Sequence, residues 1–266
     1  MSRNVRIILA IIVVIALIAV AVVAAIFVRG GDGTPSATIS APTLAIDTQA
    51  EATTAPTQAA MEGATEATPS NDTSADTAST DVESTGDVVV YNIVTDQSNV
   101  SFTLTEDLRG VPTTVVGETD QVAGQIAVDF ATPQNSRVGE IRINARTLQT
   151  DNDFRNRAIR GEILQSAQDA FEFITFTPTE VVGLPETITP GQQFNFQLVG
   201  NLTIRDITQP VTFATTIVSF SETELEGYAI ATVQRASFNL IIPSVPSVAN
   251  VSEAVDLRID FGAAAG

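Results

Sequence analysis

Between Val88 and Phe261, apolar residues return at every second position in one short run after another. "NVSFTL" alternates Val100, Phe102 and Leu104, "GQIAVDF" alternates Ile126, Val128 and Phe130, and "VGEIRINARTL" alternates Ile141 and Ile143. "FQLVGNLTI" puts Leu198, Gly200, Leu202 and Ile204 on one face, and "VTFATTIVSF", "GYAIATVQ", "ASFNLII" and "AVDLRIDF" continue the rhythm. Side chains of a strand point alternately to its two faces, so this period describes sheet with one apolar and one solvated face. Such sheets are antiparallel, since parallel strands are buried on both sides. One segment departs from the period. "DNDFRNRAIRGEIL", Asp151 to Leu164, spaces Phe154, Ala158, Ile159 and Ile163 as a helix does, with Asp151 or Asn152 as its cap. An antiparallel chain of about 175 residues with one short helix predicts a mainly β domain, a single up-and-down barrel.

"GNLTIRDITQPVTF", Gly200 to Phe213, tests this reading because an Arg-Asp pair and a proline interrupt the alternation. It reads as a hairpin. "GNLTI" ends one strand, "RDITQP" connects, and "VTFATTIVSF" follows, since Asp206 favours a turn and Pro210 lacks the N–H a central strand needs.

Two different zones precede this domain. Residues 1–30 hold an unbroken apolar run, Ile7 to Val28, long enough for a bilayer core of about 20 helical residues. Arg3 and Arg6 come before it and only Arg29 follows, so the positive-inside rule predicts a cytoplasmic N-terminus and a domain on the extracytoplasmic side. Ala19-Val20-Ala21 resembles a signal-peptide cleavage site, but the run exceeds the ~7–15 residues of a signal peptide, which favours an uncleaved anchor. Residues 31–87 are mostly Ala, Thr, Ser, Pro, Asp and Glu, with no basic residue. That composition predicts a disordered, self-repelling linker with an end-to-end distance of roughly 40 Å, from ~5–6 Å × √n. Residues 88–266 form the β domain.

Charge and missing residue types narrow the chemistry. A formal net charge of −18 argues against nucleic acid, whose phosphates need a cationic surface. The chain has no Cys, no His and no Lys. Disulfides, a lipidated cysteine, Cys/His zinc sites, a Ser-His-Asp triad and a Schiff-base lysine are therefore excluded. The expectation is a non-enzymatic protein that requires no cofactor and no metal.

"GNLTIRDITQPVTF" resembles the G-x-L-T-I-x-G-x-T-x-P-V signature of the YceI-like, lipocalin-like proteins. "YNIVTDQSNVSFTL", "VAGQIAVDF", "INARTLQTDNDFRNRAIRGEIL", "FITFTPTEV" and "RASFNL" resemble further motifs of that family in the expected order, over about Val90 to Phe261. Asp206 and Asn239 stand where the family has Gly, Asn156 where it has Asp, and Ala158 where it often has His. The resemblance implies an antiparallel barrel of about eight strands around a long apolar ligand, an isoprenoid, prenyl quinone or similar lipid.

The inward apolar positions are then the candidate ligand contacts: Phe102, Leu104, Ile126, Val128, Ile141, Ile143, Ile174, Phe176, Leu198, Leu202, Phe213, Ile217, Ile230 and Phe238. A packed core explains the same pattern. Arg155, Arg157 and Arg160 on the helix are either a solvated face paired with Asp151, Asp153 or Glu162, or contacts for a ligand headgroup. "DNDFRNRAIRGE" fails as a calcium loop, because Arg155 takes a ligand position and Asn156 the glycine position. Glu222, Glu224 and Glu226 read as a polar outer face rather than a hydrolase site, and the sequons at Asn71, Asn99, Asn201 and Asn250 carry no weight. Two functions remain: carriage of a long apolar ligand by a membrane-tethered domain, or a ligand-free surface barrel with a structural or adhesive role.

Overall fold

The structure, a computed structural model, describes residues 33–45 and 88–266. The apolar run and most of the linker lie outside the described residues. Among the described residues, no helix is long and apolar enough to cross a membrane.

The alternating runs fold into one curled antiparallel sheet. Strands β1 (Val88–Ile93) and β2 (Asn99–Leu108) both pair with the same side of β13 (Ala254–Ala265), so they form one broken stave. β3 (Val111–Thr119), β4 (Val122–Ala123) and β5 (Gln125–Asp129) form the next, and β6 (Arg137–Val138) and β7 (Ile141–Asn144) a third. β8 (Phe173–Val182), β9 (Phe194–Ile204), β10 (Ile207–Phe220) and β11 (Glu224–Gln234) then follow as a meander, and β11 pairs with β13. β12 (Val248–Ala249) adds a short ladder to β2. The sheet comes round on itself through three slight contacts: the β4–β7 ladder, the β5–β6 ladder and a bridge between Glu118 and Gln149.

The helix forms where the apolar period changes. α1 (Asp153–Ala158) starts at Asn152, whose side chain accepts hydrogen bonds from the Phe154 and Arg155 N–H groups, and a wider π-type turn, Ile159–Ile163, extends it. The cap satisfies two N–H groups that would otherwise lack partners.

Three expectations are corrected. The hairpin connection is only Arg205–Asp206, because Ile207–Pro210 already pairs with β9. Pro210 is tolerated there because β10 meets β11 only from Ala214 onward, which leaves that stretch an edge. The left-handed residue of the turn is Arg205, at φ 56. Its guanidinium donates to the Ile163 and Asn239 carbonyls, which ties the hairpin to the helix. Second, "ASFNLII" is not a strand. Arg235–Phe238 is a 3-10 turn ended by left-handed Asn239, a residue that tolerates this conformation almost as glycine does. Third, residues 33–45 do not hang free as linker composition predicts. They lie on the outside of the wall with Ile39, Ala41 and Leu44 half-buried. Those side chains give this piece the apolar surface that the rest of the linker lacks. The Ser36 N–H donates to Glu172 (2.7 Å), Arg146 to the Thr34 carbonyl (2.9 Å), and the Leu44 N–H to Gln125 (2.7 Å).

Candidate functional site

The inner face of the sheet is filled at one end and hollow at the other. In the filled end, Phe176 packs edge-on to Phe213 with ring centroids 4.9 Å apart, and Phe220 meets Phe130 and Phe194. Gly200 makes room for this packing, since a Cβ there would lie 2.6 Å from the Phe176 ring. In the hollow end lies a cavity of about 900 Å³. That is near the upper end of the ~300–1,000 Å³ usual for small-molecule sites.

The cavity wall is mostly aliphatic. Phe102, Leu104 and Leu108 of β2, Val111 and Val115 of β3, Ile174 of β8, Val233 of β11 and Leu257 of β13 point into it. α1 and its extension cover one side through Phe154, Ala158, Ile159 and Ile163. The segment from Leu240 to Val251 covers another with Ile242, Pro243 and Val245. Arg235 holds that segment by donating to the Leu240 and Ser252 carbonyls at 2.9 Å each, and its guanidinium also pairs with Glu253.

One charged pair faces the apolar space. Arg155 and Glu106 both line the cavity and meet at 2.9 Å, with side chains 15% and 7% exposed. Arg155 also pairs with exposed Asp151. Such a pair can align one polar end of an otherwise apolar guest, by hydrogen bonds from the guanidinium or to the carboxylate. Arg157 is exposed and lies over the Phe154 ring, and Arg160 donates to the Arg146 carbonyl. Of the three helix arginines, only Arg155 lines the cavity.

The fourteen apolar candidates divide by depth. Phe102, Leu104 and Ile174 line the cavity. Ile126, Val128 and Ile217 line a separate void of about 40 Å³ toward the other end. Ile141, Ile143, Phe176, Leu198, Leu202, Phe213 and Phe238 are buried in the core and do not line the cavity. Ile230 points outward and is 43% exposed. On β11 the inner face belongs to Leu225, Gly227, Ala229 and Val233. Gly227 has no room for a side chain, since a Cβ there would lie 2.5 Å from the Thr216 carbonyl oxygen and 2.8 Å from the Phe261 ring. With small residues inside and Ile230 outside, alternation by size picks the wrong face.

Sequence reasoning also missed Glu106, Arg235 and the whole 240–251 segment. Glu106 could have been found, because it continues the Phe102–Leu104 face of β2. A second polar network, away from the cavity, was missed as well. Arg146, 5% exposed, pairs with Glu172 at 2.9 Å, and Asn144 donates to the same carboxylate. Burial pushes the Glu172 carboxyl up, but hydrogen bonds from Ser36 and Asn144 and the Arg146 charge together hold it below its ordinary value.

A curled antiparallel wall, hollow at one end and covered there by a short helix, defines a lipocalin-like β domain with an internal cavity. A family model described as a YceI-like domain matches residues 91–263, and the chain belongs to that family. Among solved structures, a polyisoprenoid-binding domain from Saccharophagus degradans aligns with a TM-score of 0.52 at 15% identity, covering 67% of this chain and 99% of that one. BcnA from Burkholderia cenocepacia aligns with a TM-score of 0.50 at 17% identity, covering 64% and 98%. No match was found among curated protein sequences.

Proposed function

We propose that this domain binds and carries a long apolar ligand, an isoprenoid, prenyl quinone or similar lipid, without catalysing a reaction on it. The observation that carries this reading is the cavity of about 900 Å³, lined mostly by apolar side chains with the Arg155–Glu106 pair among its few polar groups. Its partners are that lipid and the membrane that the run Ile7 to Val28 would enter. On the arginine bias around that run, the domain sits on the extracytoplasmic side, anchored by a single N-terminal helix. The polyisoprenoid-binding relative in Saccharophagus degradans supports the ligand class. A ligand-free adhesive barrel is the rival, and a cavity of this size in place of continuous packing disfavours it.

The test is to purify the full chain from its membrane, extract it with organic solvent and analyse the extract by mass spectrometry. The expected result is a prenyl lipid in near-stoichiometric amount. A chain that yields no lipid, and takes none up when offered prenyl quinone in detergent, overturns the reading. Protease added to spheroplasts should remove the domain, whereas protection until lysis overturns the topology.

A further inference from the structure

We infer that the rim of the cavity is a membrane-contact surface, which seats the open end of the domain on a neutral lipid bilayer. The inference rests on the proposed carriage of an apolar ligand and on the N-terminal anchor, and adds where and how the ligand crosses between bilayer and cavity.

The first observation is where the exposed apolar side chains lie. Phe154 at 80%, Ile241 at 71% and Val111 at 61% are the most exposed large apolar residues of the described chain, and Val245 joins them at 43%. They come from three separate segments: the start of α1, the start of β3 and the 240–247 stretch. All of these border the same opening, since Phe154, Val111 and Val245 line the cavity and Ile241 lies between two residues that do. The remaining exposed apolar residues, Val116, Val182, Val218 and Ile230, are 39–46% exposed and scattered along the wall. Single apolar residues on a surface are ordinary, but a cluster around an opening marks an interaction site. Arg109 and Arg157 are exposed in the same collar, with the Arg157 guanidinium 6.0 Å from the Phe154 ring centroid. An aromatic ring beside long cationic side chains suits the boundary between headgroups and acyl chains.

The second observation says what covers this rim. Residue 33 is fixed against the wall at the helix end. Gly33 has φ +70, and a Cβ there would lie 2.5 Å from Arg146 Nε and 3.1 Å from the Ala167 Cα. Leu164, three residues before Ala167, lines the cavity. Five Cα steps separate Gly33 from Val28, the end of the apolar run. Fully extended, they reach at most roughly 18 Å, at ~3.6 Å per residue. A bilayer entered by that run therefore lies within that reach of Gly33, at the far end of the helical cover from Phe154, and not across a stalk of some 40 Å. With exposed Asp151 and Asp153 next to Phe154, the rim suits zwitterionic rather than anionic lipid.

The chain has no tryptophan, so a single one introduced reports its own surroundings. The full chain is reconstituted into phosphatidylcholine vesicles, with and without phosphatidylcholine carrying a bromine or nitroxide quencher in its acyl chains. Ile241→Trp should emit at shorter wavelength and be quenched several-fold more than Val218→Trp, on the outer face of β10. Replacing part of the lipid with phosphatidylglycerol should not increase the effect. Ile241→Asp should slow transfer of a fluorescent prenyl quinone between vesicles several-fold while leaving lipid bound per chain unchanged. Equal quenching of the two tryptophans overturns the rim inference, even if the domain is full of lipid. Strong quenching of Ile241→Trp in a chain that binds no lipid upholds the rim and overturns the carrier. A chain that does not float with the vesicles overturns the anchor and the rim together.

Discussion

Arg155→Ala is expected to destabilise the domain more than Glu106→Ala, although the two changes break the same 2.9 Å ion pair. The asymmetry comes from what each change leaves behind. Glu106 is 7% exposed and among the described residues its one side-chain partner is Arg155, so removing the guanidinium strands a carboxylate in a mostly apolar wall. Removing one member of a buried pair costs about 3–5 kcal/mol, and the opening of the cavity to water puts this case near 3. Removing Glu106 leaves Arg155 with Asp151, which is 83% exposed. The guanidinium keeps one partner and some water, so the loss is near that of one charged hydrogen bond, about 1.5 kcal/mol. The double change to Ala removes both charges together and should cost less than Arg155→Ala alone. The assay is urea unfolding of all four proteins followed by far-UV circular dichroism. Two results refute the reasoning: Glu106→Ala proving the more harmful change, or the two losses adding to within ~0.5 kcal/mol as independent sites do.

Other consequences follow from the same structure. Leu202 is 3% exposed in the packed core, so Leu202→Trp should cost about 1–3 kcal/mol by overpacking, whereas Ile174→Trp projects into the cavity and should cost less while displacing bound lipid. Melting temperature and extracted lipid, measured on the same preparations, check this pair. Burial raises the Tyr91 hydroxyl to about 12, with nearby Glu222 adding to the effect, and it donates to the Ser221 carbonyl. Between pH 10 and 12 the unfolded chain has lost this proton and the folded one keeps it, so stability falls with rising pH across that window. With no lysine or cysteine to titrate there, Tyr91→Phe should flatten the fall seen in denaturation curves. The depressed Glu172 carboxyl has the opposite sign: its contribution is present above the ordinary carboxylate value and lost as pH falls through the lowered one. Amide exchange at Ser36 should therefore quicken in acid relative to exchange in the β9–β10 ladder, and Glu172→Gln should quicken it at neutral pH.

What the sequence determined by itself was the wall and the kind of chemistry. Strict alternation in β2, β5, β7 and β9 requires sheet, because a period of two puts apolar side chains on one face only in extended chain. The absence of Cys, His and Lys removed most catalytic and metal chemistry before any coordinate was known. The helix was legible too, from its changed period and from Asn152. Alternation says which way a side chain points, but not how far along the barrel axis it sits. Phe102 and Phe176 both face inward, yet one lines the cavity and the other lies in solid core, and no local feature of their segments separates them. That boundary depends on which side chains from distant strands meet at each level, as Phe176 meets Phe213 over Gly200. The inner face of β11 is likewise fixed by its partners, since Phe261 and the Thr216 carbonyl leave no room for a side chain at Gly227, while Ile230 points outward. Residues 33–45 show the same limit. Their composition is that of a linker, and what fixes them is a buried Arg146–Glu172 pair more than a hundred positions downstream, whose spare hydrogen-bonding capacity is met only when the chain folds back onto it.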